Sequence, residues 1–234
     1  MGIDSDIPVV VNTGTELKNA ETIEEQAKIF GQRYAQYENY APFSVLTYLP
    51  PSGDNKTNGC SKLLQMIANN VPALEIKARI AANPEEVRAV SNQKWTALHM
   101  ICVCGTEFMV RKASLVKIAS ILIQAGANIN AQDVEGFTPL MRIVQWSAPI
   151  ELFNVLMASM CDVNLKNNEG LTALHIYYAR SGRNYRYVQP ILDADFDINS
   201  TTNDGHTVLA VLTENTVTTD LLRMMPDPSC MFKQ

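Results

Sequence analysis

The chain has 234 residues, 47% of them hydrophobic and 18% charged, with 19 basic against 24 acidic side chains and a formal net charge of −5. A chain this apolar and this lightly charged builds a packed core, which excludes intrinsic disorder and a mostly coiled-coil design. The acidic excess excludes a general binder of nucleic acid or anionic membrane.

That excess sits at the start: residues 1–60 hold 4 basic and 8 acidic groups, residues 61–234 hold 15 and 16. No apolar run reaches the ~20 residues that span a bilayer. Met1-Gly2-Ile3-Asp4-Ser5-Asp6 lacks the basic and apolar regions of a signal peptide. Asp6 stands where a myristoylation motif has Ser or Thr. The cysteines at 60, 102, 104, 161 and 230 show neither a disulfide framework nor zinc-ligand spacing, which predicts a reducing, cytoplasmic location.

In chain order, residues 1–14 read as a flexible N-terminus. Thr15 opens an amphipathic helix to residue 39, with Ile23, Ala27, Phe30 and Tyr34 at helical spacing. The apolar, proline-bounded stretch from Tyr40 to Pro51 and a polar loop complete an N-terminal helical extension over 15–60. Residues 61–90 read as a divergent capping repeat, with one helix over Ser61 to Ala68 and another over Ala73 to Ile80.

From 91 to 225 the sequence repeats itself. Trp95-Thr-Ala-Leu-His99, Phe137-Thr-Pro-Leu-Met141, Leu171-Thr-Ala-Leu-His175 and His206-Thr-Val-Leu-Ala210 align, their threonines separated by 42, 34 and 35 residues. A second phrase precedes three of them: Ala127-Asn-Ile-Asn130, Cys161-Asp-Val-Asn164 and Phe196-Asp-Ile-Asn199. Gly136, Gly170 and Gly205 each lie two residues ahead of a Thr and suit the positive φ of a tight turn. The threonines are candidate helix caps, Pro139 suits a first helical position, and Leu98, Leu140, Leu174 and Leu209 point inward. An outer helix over Thr219 to Met225 is stopped by Pro226 and Pro228, leaving 226–234 as a tail.

The two phrases, in this order and spacing, resemble the ankyrin repeat, a ~33-residue unit of β-turn and two helices. The resemblance implies an all-α solenoid of about four to five repeats with β-hairpin turns, joined to the N-terminal helical extension. It also implies that His99 and His175 brace the turns by hydrogen bonding. The sequence departs from the family in three ways. The 42-residue spacing places an insertion of about nine residues between the helices of the second repeat, around 105–114. Met141 stands where the family has His, and Met160-Cys161 and Asp195-Phe196 replace the usual Gly-Ala.

The sequence offers little chemistry. It has three histidines, and no phosphate loop, zincin or nucleophile-elbow motif. Cys60, ahead of a helix, is the one candidate nucleophile, but it lacks a neighbouring His or Asp and reads as a cap cysteine. The expectation is therefore no enzyme, no metal and no small-molecule cofactor.

Recognition of a protein partner by a monomer remains, as an adaptor or scaffold, and degenerate repeats beside a unique N-terminus suit a pathogen effector or viral host-interaction protein in the host cytosol. The positions before each Thr, Trp95, Phe137, Leu171 and His206, are expected to project from the hairpins as a strip along the groove. Packing between adjacent hairpins is the alternative for the apolar ones, and His206 reads as a surface contact. Asn92, Gln93, Val134, Glu135, Asn168, Glu169, Asn203 and Asp204 border the strip.

A second patch gathers Arg180, Arg183, Tyr185 and Arg186 in an interhelical loop with four tyrosines from Tyr177 onward. An acidic protein surface fits that patch better than single-stranded nucleic acid does. The hairpins also resemble substrates of asparaginyl hydroxylases, which implies modification at Asn164 and Asn130.

Overall fold

The computed structural model describes residues 61–107, 112–179 and 185–211. The N-terminal extension with Cys60, the 180–184 part of the basic loop, and the expected helix at 219–225 lie outside these residues. The described residues form nine α-helices: α1 Lys62–Ala68, α2 Ala73–Ala82, α3 Ala97–Glu107, α4 Lys112–Gln124, α5 Pro139–Trp146, α6 Ile150–Ala158, α7 Ala173–Ala179, α8 Val188–Leu192 and α9 Val208–Val211. Among them no strand forms; one isolated bridge pairs Thr201 with Thr207.

The helices stack in two rows. The inner row runs α1, α3, α5, α7, α9, each packed on the next, and the outer row runs α2, α4, α6. This is the expected all-α solenoid with hairpin turns.

Local chemistry starts and stops the helices. Ser61 caps α1, its hydroxyl accepting from the Leu64 N–H. Thr138 caps α5, its hydroxyl accepting from the Met141 N–H at 3.3 Å, and Pro139 follows at the first position. Ser147, with φ 53°, ends that helix in the left-handed region. Met160 and Asp195, at φ 55° and 56°, take the same conformation where the family uses Gly, so these departures from the pattern leave the turn geometry intact.

The insertion falls largely in the helices themselves. α3 has 11 residues and α4 has 13, against 8 and 9 in the following pair.

A single core runs the length of the stack. Leu98, Leu140 and Leu174 occupy equivalent inner positions and are fully buried, each contributing about 1.5–3 kcal/mol. Ile118 and Leu122 of α4, and Leu152, Phe153 and Leu156 of α6, supply the outer stripe.

Candidate recognition surface

Each inner helix after α1 is preceded by a six-residue turn: 91–96, 133–138, 167–172 and 202–207. All four close in the same way. The first residue donates its N–H to the fifth residue's carbonyl, from Ser91 to Trp95, Asp133 to Phe137, Asn167 to Leu171 and Thr202 to His206. The fourth residue's N–H returns to the first residue's carbonyl. That fourth residue is Lys94, Gly136, Gly170 or Gly205, always with positive φ.

The first side chain in each turn accepts from the backbone ahead of it. Asp133 Oδ1 takes the N–H groups of Glu135 and Phe137, both at 3.0 Å. Asn167 Oδ1 takes those of Glu169 and Leu171, Ser91 Oγ those of Gln93 and Trp95, and Thr202 Oγ1 that of His206. These four residues build the turns, and sequence reasoning missed them; the available signal was a short polar acceptor four places before each large residue.

The turns join into a ladder. Val134, Asn168 and Asn203 donate their backbone N–H to the carbonyls of Gln93, Glu135 and Glu169 in the preceding turn, at 3.0, 3.1 and 3.1 Å. Asn168 and Asn203 add a side-chain rung, their amides donating to the Val134 and Asn168 carbonyls at 2.9 Å. The approach is close enough that a Cβ on Gly136 would lie 2.6 Å from the Asn168 nitrogen, and one on Gly170 2.5 Å from the Asn203 nitrogen.

The expected apolar strip does not face solvent. Trp95, Phe137, Leu171 and His206 are 5%, 1%, 0% and 4% exposed. Their side chains turn inward because the turn ends there, and the row packs against the stack. Trp95 meets Trp146 edge-to-face at 6.0 Å, and Arg142 lies over Phe137 at 4.0 Å and Trp146 at 5.2 Å. His206, expected at the surface, is buried, with its N–H held by Thr202 Oγ1 at 3.2 Å.

The flanking residues supply the exposed surface. Asn92, Gln93, Val134, Glu135, Asn168 and Asn203 are exposed, while Glu169 and Asp204 are half-buried. Trp146, half-buried on α5, was not singled out by sequence.

The tyrosines described in this region belong to the core. Tyr177, Tyr178 and Tyr187 are buried, with Phe153 and Tyr187 edge-to-face at 5.0 Å and the Tyr187 hydroxyl donating to the Ala148 carbonyl. Arg186 is exposed; Arg180 and Arg183 lie outside the described residues, as does the Tyr185 side chain.

Two further clusters stiffen the surface. Arg142, 5% exposed, donates to Asp133 Oδ2 from Nε at 2.9 Å, to Glu135 Oε2 at 2.5 Å and to Gln145 Oε1 at 2.8 Å. His99 accepts at Nδ1 from the Thr96 hydroxyl at 2.9 Å and donates from Nε2 to the Phe137 carbonyl of the next turn at 2.9 Å. His175 repeats this with Thr172 at 2.7 Å and the His206 carbonyl at 3.2 Å. Burial keeps each imidazole neutral, lowering both pKa values to about 4 against the opposing pull of the carbonyl each one donates to.

Asn130 and Asn164 lie on the loops that enter the turns and tie one repeat to the next. Asn130 Oδ1 accepts from the Asp162 N–H at 2.9 Å. Asn164 accepts from the Asp197 N–H at 2.8 Å and donates to the Asp195 carbonyl at 3.0 Å. No helix among the described residues is long and apolar enough to cross a membrane.

The family model for the ankyrin repeat matches residues 93–134. An ankyrin repeat protein of fowlpox virus is 40% identical over 72 residues, covering 29% of this chain and 20% of that protein. Mouse protein phosphatase 1 regulatory subunit 12A is 31% identical over 81 residues, covering 35% and 7%, and mouse Rabankyrin-5 is 32% identical over 88 residues, covering 37% and 8%. The similarity thus spans a fifth or less of each relative's length. With four equivalent turns and two stacked helix rows, the described residues form an ankyrin-type all-α fold, and residues 93–134 match the ankyrin-repeat family model.

Proposed function

We propose that this chain is a stoichiometric protein-recognition module, an adaptor without chemistry of its own, which binds a partner protein along the exposed row of its turns. The observation that carries this reading is the ladder. Gln93, Val134, Glu135, Asn168 and Asn203 are exposed side chains on a backbone cross-bonded from turn to turn. A surface ordered in advance loses little entropy on association, so its contacts convert efficiently into affinity.

The exposed Arg186 offers a second, basic contact for an acidic part of the partner. The module acts as a monomer with no cofactor. Similarity to a fowlpox virus protein supports an effector or viral host-interaction role in the host cytosol, and similarity to a phosphatase regulatory subunit supports binding rather than catalysis. Asn164 and Asn130 are, on the same reading, acceptors for an asparaginyl hydroxylase.

A photo-crosslinking residue placed at Val134 tests the proposal, with one at Lys117 on the exposed side of α4 as control. The expected result is a discrete protein adduct from position 134 and none from 117. Equal adducts from both positions, or from 117 alone, would overturn it.

A further inference from the structure

The turns at 133–138 and 167–172 follow one plan and differ in how it is completed. In the first, Asp133 Oδ2 and Glu135 Oε2 both accept from the guanidinium of Arg142, four residues after Thr138. In the second, Ile176 stands four residues after Thr172 and supplies no cation. Asn167 Oδ1 is committed to two backbone N–H groups, at 3.0 and 2.8 Å, which fixes the amide and puts Nδ2 where Asp133 has Oδ2.

Asn167 is 6% exposed, and its Nδ2 and Glu169 Oε2 are buried without a hydrogen-bond partner among the described residues. Buried polar atoms in folded proteins are paired, and a donor or carboxylate oxygen left over favours any group that satisfies it.

Resting on the partner-recognition reading above, we infer that the turn at 167–172 is a subsite for a side-chain carboxamide, Asn or Gln, of the partner protein. Its carbonyl accepts from Asn167 Nδ2 and its NH₂ donates to Glu169 Oε2. The chemistry selects this class. A guanidinium or ammonium only donates and leaves Asn167 Nδ2 unpaired, whereas a carboxylate only accepts and is repelled by Glu169. A trans peptide group presents its N–H and C=O on opposite sides, but a primary amide presents both on one. Glu169 is half-buried, so its side chain is the part of the wall that can swing to admit the group. The neighbouring turn needs no such ligand, because Arg142 fills the equivalent place.

The test is a titration of the isotope-labelled chain with propionamide, followed by NMR at the Asn167 side-chain NH₂ and the Glu169 N–H, with propionate, propylammonium and ethanol as controls. Saturable shifts at both groups with propionamide alone support the inference. Glu169→Ala, which leaves the turn's backbone bonds in place, should weaken that binding about tenfold or more, the equivalent of one charged hydrogen bond. Asn167→Asp combined with Ile176→Arg should abolish it by rebuilding the neighbouring arrangement.

No shift, an equal response to ethanol, or a long-lived water that persists beside Asn167 Nδ2 at high propionamide would overturn the inference. Crosslinking from Val134 reports separately on the broader reading. An adduct there with no amide response sinks only the subsite, and an amide response with no adduct sinks only the partner surface.

Discussion

Arg142→Met should destabilise the fold through the charge it leaves behind, and the neighbouring turn shows how to reduce the loss. Asp133 is 4% exposed, so without the guanidinium its Oδ2 becomes an uncompensated buried charge. Breaking one side of such a pair costs about 3–5 kcal/mol. Asp133 Oδ1 keeps two backbone N–H bonds, and the Met side chain still fills the space against Phe137 and Trp146, which favours the lower end. Glu135 has a half-exposed carboxylate and rehydrates at little cost.

The expected single-variant loss is about 3 kcal/mol, or about 6–12 °C in Tm for a chain of this size. Asp133→Asn with Arg142→Met recreates the pairing of Asn167 with an apolar residue at 176 and should recover part of that loss, because an unpaired neutral amide costs less than an unpaired buried charge. Urea unfolding of the wild type, both single variants and the double variant closes the cycle. A coupling energy of about 1.5 kcal/mol or more is expected; additivity within about 0.5 kcal/mol would refute the buried-pair account.

Further perturbations separate the other parts of the fold. His99 and His175, with folded pKa values lowered from 6.5 to about 4, should make stability full above pH 6.5 and falling as pH drops towards 4, because the unfolded chain takes up protons first. Equilibrium unfolding that is flat across this window would contradict the neutral bracing role. Gly136→Ala should cost clearly more than Gly205→Ala in the same assay. Both force a side chain to positive φ, but only the first also drives a Cβ into the next turn, where Gly205 has open space. Met141→His should raise stability by about 1 kcal/mol, bonding Thr138 and the Leu171 carbonyl as His99 and His175 bond their counterparts; a fall in Tm would show that this turn differs from its neighbours.

The fold was legible in the sequence because its determinants are local and repeated. Thr138-Pro139 sets a helix start and Gly136, Gly170 and Gly205 set the turns; with the recurring leucines they specify the stacked rows without long-range information. The surface was less legible, because burial at a turn depends on the neighbouring repeat. Trp95 and Phe137 sit at the end of turns that point towards solvent, yet Trp146 and Arg142, from positions with no motif, cover them. The same holds for Tyr187, which an unpatterned loop delivers to Phe153 and Ala148. Asp133 and Asn167 escaped notice because an Asx turn requires only one short acceptor, a signal too weak to read without the backbone around it.

The most direct test of the account measures partner affinity and Tm together for two variants. Gln93→Arg/Val134→Arg changes exposed side chains and leaves the ladder's backbone bonds intact; Phe137→Leu trims a buried ring. The account predicts that the first loses partner affinity about tenfold or more at unchanged Tm, while the second loses Tm and, below its melting point, keeps its affinity. Lost affinity from Phe137→Leu with none from the surface pair would return recognition to the buried row and contradict the account.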